Sequence, residues 1–385
     1  MLTNNRYVLY SLAWMFLVSV SSQGQDVASA KNELSSAGFE QVIFVPVQKI
    51  GNETVYKLGI EHRSINNPLD IILLADRICK KYGVNKVKIS LLRKGQVIYE
   101  SEVRSELDIA SDFISDSYVK DFNRLFSPSN YRFNVFFTPD VKVRFGNFEN
   151  PLQSKVNMLL MTELVFFKGF SLVSGLSIPL ENDLDSQNRS ISLATTYLDY
   201  FAQPWKGHFV QWSSGLFTNN RYGLDFQYRN FNPNRRLSYG LRYALTGFYF
   251  FPFGSIFFEP IADRLYLGDV EYLFPSQRIS LSLTAGQFLF KDRGLRGELV
   301  KQYRNMELGF FASQTTTGSN AGFKFMVSLV PGKIVRSKFF EFRTDESFRW
   351  EYGYSNEGLV AGNFRSGPLL QERLRRFNNK LFNHY

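Results

Sequence analysis

The sequence predicts a mainly β fold: a transmembrane antiparallel β-barrel of about twelve strands, preceded by a small N-terminal α/β domain. Three observations lead there. From residue 131 onward, apolar and polar residues alternate strictly in one segment after another, the period of a strand whose two faces meet different surroundings. The segments run to roughly ten to fourteen residues, longer than the five or six usual in soluble sheets and suited to tilted strands that cross a bilayer. Aromatic residues gather in the same region: of 39 Phe, 20 Tyr and 4 Trp in 385 residues, 13 fall in residues 1–130 and 50 in residues 131–385. A mean hydropathy of −0.19 with 21% charged residues excludes a bundle of membrane helices but not a barrel, whose strands need only every second residue apolar.

The chain opens with Arg6, the apolar run Tyr7–Val20 and the small polar stretch Ser21–Gln25. That order of zones predicts a secretory signal peptide over residues 1–25. No Cys lies near the expected cleavage site, so a lipid-anchored N-terminus is not expected. Residues 26–105 read as a small α/β domain in the order α-β-β-α-β-β, expected on the periplasmic side. An amphipathic start from Asp26 to Ala37 is ended by Gly38, and strands follow at Gln41–Val47 and Thr54–Ile60 around a Gly51-Asn52 turn. Asn67-Pro68 opens a helix whose apolar positions Leu69, Ile72, Leu73, Ala75 and Ile78 keep helical spacing up to Lys80, Lys81 and Gly83. Two further strands, Lys86–Leu92 and Gln96–Val103, are joined by the Arg93-Lys94-Gly95 hairpin. Cys79 reads as a small core residue of the second helix. Glu61, His62 and Arg63, at a strand end, are expected to be solvated. Residues 106–130 read as a linker.

The barrel is expected over residues 131–332, with strands near 132–145, 155–166, 169–180, 191–202, 207–217, 220–230, 235–248, 264–274, 277–289, 294–304, 305–314 and 321–331. Typical is Tyr222–Arg229, where Tyr222, Leu224, Phe226 and Tyr228 share one face and Gly223, Asp225, Gln227 and Arg229 the other. A soluble sandwich would turn such an apolar face inward, and an outer-membrane barrel would turn it outward to lipid. Tight turns at Phe167-Lys168-Gly169, Asn232-Pro233-Asn234, Pro275-Ser276-Gln277 and Arg304-Asn305 alternate with longer loops expected at Glu181–Ser190 and Gln314–Ala321. The fourth strand and the aromatic run Phe248–Phe258 carry the weakest signals. In the tail, residues 333–385, Phe348–Tyr354 alternates and Leu369–Phe382 has helical spacing. This tail would plug the barrel or dock partners in the periplasm, with Arg373, Arg375 and Arg376 expected on a solvated helical face.

Catalytic and metal chemistry find little support. One Cys and three His (His62, His208, His384) leave no multi-thiolate or His-rich metal site, and no cofactor motif occurs. A barrel-borne lipid hydrolase would need a Ser beside a His, yet His208 has no G-x-S-x-G elbow near it. Asp183 and Asp185 sit in an expected loop. The net charge of +10 is scattered over the strands rather than clustered as in a nucleic-acid module.

The residues resemble the YjbH-type outer-membrane proteins of bacterial exopolysaccharide and capsule systems. In the small domain the likeness lies in Ser36-Ala37-Gly38-Phe39-Glu40-Gln41-Val42 and Gly59-Ile60-Glu61-His62-Arg63. In the strand region it lies in Tyr131–Asn150, in Ser214-Gly215-Leu216-Phe217 through Tyr222–Phe226, in Ala285–Gly294, in Glu298-Leu299 with Arg304, and in Gly318–Pro331. It covers roughly residues 36–370 of a chain about half the family's usual length, with a single barrel and with Lys291 where a small residue is usual. The resemblance implies a non-enzymatic role in secreting or assembling an extracellular polysaccharide at the outer membrane, with polysaccharide or polysaccharide-export proteins as partners beside membrane lipid. A general porin or structural barrel is the alternative, and an outer-membrane lipid hydrolase the third.

If the apolar faces meet lipid, Lys142, Arg144, Glu163, Asp225, Arg229, Arg236, Arg242, Glu298 and Lys324 point into the lumen. They would either line a mainly cationic path for an anionic glycan or pair across the lumen and fill it, as is common in small barrels.

Overall fold

The computed structural model describes residues 26–50, 53–105, 108–112, 116–145, 152–184, 190–251, 255–329, 335–354 and 364–382. The expected signal peptide, the Gly51-Asn52 turn, Asp185, His384 and Tyr385 lie outside them. The fold is mainly β, built on large antiparallel sheets.

The small domain begins with helix α1 (26–37), which buries Ala30 and Leu34. Gly38, at φ +112°, ends it: the Phe39 N–H donates to the Leu34 carbonyl (3.1 Å) and the Gly38 N–H to that of Ser35 (3.2 Å), satisfying the last turn. Strands β1 (Gln41–Ile50) and β2 (Glu53–Glu61) follow, then helix α2 (Pro68–Lys81). Asn67 caps α2 by accepting the Leu69 N–H (3.0 Å), with Pro68 pre-set for the first turn. Strands β3 (Val87–Arg93) and β4 (Gln96–Ser105) are joined by Lys94 and Gly95, both at positive φ (49° and 73°), as a tight two-residue hairpin demands. The α-β-β-α-β-β order is thus as the sequence implied.

The expected linker is more structured than that. Within it β5 (Asp108–Asp112) adds a fifth strand beside β4, and helix α3 (Asp116–Leu125) covers one sheet face with Phe122 against Ile43, Val45, Leu92 and Val97. The opposite face packs Val42, Leu58, Ile60 and Ile89 under α1 and α2. Cys79 is fully buried there, and burial pushes its thiol up to about 12, which leaves it inert as a nucleophile.

The second sheet carries twelve long strands in hairpin succession. They are β6 (Phe133–Phe145), β7 (Leu152–Phe167), β8 (Phe170–Asn182), β10 (Thr196–Trp205), β11 (His208–Phe217), β12 (Arg221–Asn230), β13 (Leu237–Phe250), β15 (Asp263–Phe274), β16 (Ile279–Gln287), β17 (Arg293–Gln302), β18 (Met306–Thr315) and β19 (Gly318–Val327). Two-residue strands β9 (Ser192–Leu193) and β14 (Phe257–Phe258) pair with β8 and β13. The fourth expected strand is therefore interrupted: β9 pairs with the middle of β8, and β10 resumes along its start. Residues 252–254 of the aromatic run lie outside the described set. Thr315 and Gly318 are register partners across a tight turn, so the longer loop expected at Gln314–Ala321 is absent.

Three short strands complete the sheet: β20 (Val335–Arg336), β21 (Phe340–Thr344) and β22 (Phe348–Gly353). The alternation over Phe348–Tyr354 pairs β22 with β19, and β21 runs parallel to β6. Among the described residues no register joins β22 to β6, so the expected closure into a barrel is not seen. The two edges approach through Trp350, whose indole N–H donates to the Val141 carbonyl (2.9 Å), and through the Phe145 and Tyr352 rings (5.2 Å). The four short turns named from the sequence all lie at one end of the strands, the end on which the small domain sits: the Gly169 N–H donates to the Lys94 carbonyl (2.6 Å), and Arg304 pairs with Asp70.

Glu61, His62 and Arg63 are buried, against the expectation of solvent exposure, because they lie at this junction. The His62 Nδ1 accepts from the Ser64 and Ile65 amides (3.3 and 3.2 Å), and burial pushes its imidazole down to about 3. The unfolded chain takes up a proton below ~6.5 that the folded chain refuses, so stability present above that pH is lost as pH falls toward 3. From pH 7 to pH 5 this costs roughly 2 kcal/mol. His62→Asn, which keeps an acceptor for both amides, is expected to flatten that part of the pH profile in urea unfolding; an unchanged slope would exclude His62 as its source.

Candidate functional site

Alternation gives each strand two chemically different faces, and the sheet exposes the apolar one. On β12, Leu224 and Phe226 are about 40% exposed while Asp225 is 0%. On β13, Leu237, Tyr239, Leu241 and Tyr243 are exposed and Ser238 and Arg242 buried; on β16, Leu281 and Leu283 are exposed and Ser280 and Ser282 buried. This reverses a soluble sheet, in which the apolar side packs inward.

The buried polar face is a network of ion pairs. Arg242 meets Asp225 through two nitrogens (2.8 and 3.2 Å), and Gln227 donates to the same carboxylate (3.0 Å). Arg229 donates to Asp269 (2.6 Å), Glu271 (3.1 Å) and the Ser238 hydroxyl (2.9 Å). Glu298 is shared by Arg296 (2.8 Å) and Lys324. Glu163 lies 3.1 Å from the Lys94 ammonium and 3.8 Å from Arg63.

The C-terminal segment runs through this network. The Phe364 carbonyl accepts from Arg242 (3.1 Å), the Ser366 hydroxyl donates to Asp225 (3.3 Å), and the Leu370 N–H donates to Gln227 (2.8 Å). Helix α4 (Leu370–Arg375) aims Arg375 between Glu271 and Glu307 and Glu372 between Arg349 (2.7 Å) and Arg365 (2.8 Å). Burial alone would raise the Glu372 carboxyl, but Arg349 and Arg365 hold it well below the ordinary carboxylate range. The solvated face expected for this helix is thus buried: Arg373 and Arg375 are below 10% exposed, and Arg376 is half-buried with Nη1 on the Asn66 carbonyl (3.3 Å). A helix placed inside a charged sheet has no solvated face.

The second anchor is the β3–β4 hairpin. Lys94, 2% exposed, donates to the Ser171 hydroxyl (2.6 Å) and pairs with Asp199, whose other oxygen accepts from Gln211 (3.0 Å) and Ser213 (2.8 Å). Glu61 holds the hairpin from behind, accepting the Lys94 and Gly95 amides (2.8 and 3.0 Å) and the Tyr131 hydroxyl (2.6 Å). Beside it Glu40 binds Arg63, which also donates to the Arg132 carbonyl (2.9 Å).

Of the candidate residues, Asp225, Arg229, Arg242, Glu298, Lys324 and Glu163 come together inside. Three do not. Lys142 is exposed and reaches Asn219 (3.4 Å), Arg144 is exposed at the strand end, and Arg236 precedes β13 and is exposed. Asp199, Asp269, Glu271 and Glu307 were missed although each stands in the polar phase of its strand; Lys94, Glu372 and Arg375 lie outside the strands, where alternation carries no signal. A cavity of about 110 Å³ beside Lys324, Arg349 and Glu372 and another of about 70 Å³ beside Arg229, Arg242 and Glu298 fall well short of the several hundred Å³ of a small-molecule site. His208 contacts the Tyr228 hydroxyl (2.7 Å) and Asn230 (3.4 Å) on the outward face. Among the described residues no three His, Cys, Asp or Glu side chains are grouped to hold a metal ion. Searched against protein families, curated proteins and solved structures, the chain matches none.

Lys94→Met strands Asp199 in a buried site and is expected to cost about 3–5 kcal/mol. Adding Asp199→Asn removes the orphaned charge and should recover part of that loss in urea unfolding. Equal losses in the single and double variants would deny the coupling.

Proposed function

We propose that the chain is an outer-membrane β-barrel, with its small domain on the periplasmic side and its interior filled by its own C-terminal segment, that serves as a non-enzymatic component of exopolysaccharide or capsule secretion or assembly. The observation that carries the membrane reading is the inverted burial: on strands such as β12, β13 and β16 an exposed apolar face lies over a buried polar one. The 12 residues of β15 extend about 40 Å at ~3.4 Å per residue, or about 30 Å across a bilayer at a tilt near ~40°, enough for an apolar band of ~25 Å. The exposed Trp205, Tyr239, Tyr272 and Phe274 near the short-turn end suit an interfacial girdle. The polysaccharide role rests on the resemblance of the sequence to the YjbH-type proteins.

The paired interior argues for the space-filling role of the lumen charges rather than a cationic glycan path. A glycan would instead meet Lys142 and Arg144 at the end away from the small domain. A general porin is disfavoured because α4 and its flanks occupy the interior. The hydrolase reading is disfavoured because His208 has Tyr228 and Asn230, not a serine, as its partners.

The full chain is expected to fractionate with the outer membrane, to migrate heat-modifiably, and to show negligible conductance in planar bilayers; loss of its gene should deplete surface polysaccharide. Deleting residues 364–385 is expected to raise conductance to an ohmic pore, folding being checked by the same heat-modifiable migration. A soluble chain would refute the barrel, a conductive full chain the filled interior, and unaltered surface glycan the polysaccharide role.

A further inference from the structure

At the strand end away from the small domain stand outward-facing cations that have no ion-pair partner among the described residues. Arg264 starts the exposed face of β15, Arg293 that of β17, and Lys291 lies in the turn leading into β17. Gln287 ties the two strands: it donates to the Arg264 carbonyl (3.3 Å) and accepts from the Arg293 Nε (3.3 Å). Among the described residues neither the Arg264 nor the Lys291 side chain has an ion-pair or hydrogen-bond partner, and all three cations are exposed. The acids next to these cations in sequence turn inward: Asp263 pairs with Arg221, and Asp292, 1% exposed, accepts from Thr316 (2.9 Å) and the Thr317 amide (3.1 Å).

The turn itself is strained. Phe290 and Lys291 both sit at φ +60°, a region costly for side chains with a Cβ, and most of all for a bulky aromatic. Phe290, 40% exposed, turns over the inner mouth, where it stacks on Phe248 (6.3 Å) and meets the buried Arg221 guanidinium (4.7 Å), while Lys291 stays exposed; on the outward face Tyr266, two residues past Arg264, is exposed. An aromatic ring at acyl depth with guanidinium and ammonium groups one step above it matches an amphiphile with an anionic head.

We propose that Arg264, Lys291 and Arg293, above Tyr266, bind the phosphate groups of an anionic glycolipid in the outer leaflet. The proposal rests on the barrel reading, which sets this end at the outer leaflet. Arginine supplies forked donors to phosphate oxygens, and lysine a mobile point charge.

Native mass spectrometry of the full chain in detergent, titrated with lipid A, tests it. The wild type is expected to hold lipid A at least tenfold more tightly than Arg264→Gln/Lys291→Gln/Arg293→Gln, while Arg264→Lys/Lys291→Arg/Arg293→Lys keeps most of the binding. Arg235→Gln/Arg236→Gln, at the other end, should leave it unchanged. Equal affinity in the glutamine triple variant, an equal loss in the Arg235/Arg236 variant, or full competition by millimolar inorganic phosphate would overturn the glycolipid site. Heat-modifiable migration of each variant separates loss of the site from loss of the fold, and a chain soluble without detergent would instead overturn the barrel reading.

Discussion

The large sheet buries its charges, and each buried charge has to be neutralised by a partner in place. An ion removed from water without a partner costs several kcal/mol, and a pair recovers this only with good geometry. Asp225 with Arg242 on the adjacent strand, and Arg229 with Asp269 and Glu271 across the intervening β13, meet that condition from within the sheet. Other charges cannot. Glu307 has Arg375 as its cation, and Arg349 and Arg365 have Glu372 as their acid. The C-terminal segment is therefore part of the charge balance of the interior rather than an appendage.

Charges neutralised by partners distant in the chain are legible in the sequence only in part. Alternation is a property of single strands, and it placed all twelve long strands within a few residues and assigned Asp225, Arg242 and Lys324 to the polar face. It could not reveal partners that arrive from elsewhere in the chain. Lys94 reads as an ordinary hairpin residue, yet it fills the site facing Asp199 and Glu163. Glu61, His62 and Arg63 read as a polar strand end and are covered because a second sheet stands over them. The arginines of α4 read as a solvated face, since periodicity shows that a helix has a polar side but not whether that side meets water or carboxylates. The β9 interruption and the tight turn at Thr315–Gly318 were hidden because each depends on pairing with a neighbour rather than on local composition.

Apolar packing joins the two sheets where the ionic network ends. Phe201, Phe209 and Phe231, from β10, β11 and the turn after β12, share one core with Ile98 and Tyr99 of β4 and with Leu370 and Leu374 of α4. Phe377 packs edge-on against Tyr99 at 5.9 Å. Three parts of the chain distant in sequence thus bury one another's apolar groups at the mouth of the sheet, while Lys94 and Arg375 carry the charge pairing inward from it. Burial of this kind is non-directional and sets no register, whereas the ion pairs tolerate little displacement. The aromatic seam supplies the attraction between domain, strands and tail, and the buried charges fix how they seat. A tail displaced from the interior would lose both at once, exposing Leu370 and Leu374 and leaving Glu307 and Arg349 without the counter-charges that Arg375 and Glu372 supply. Occupancy of the interior is for that reason coupled to docking of the small domain, and the sheet, the domain and the tail behave as one unit.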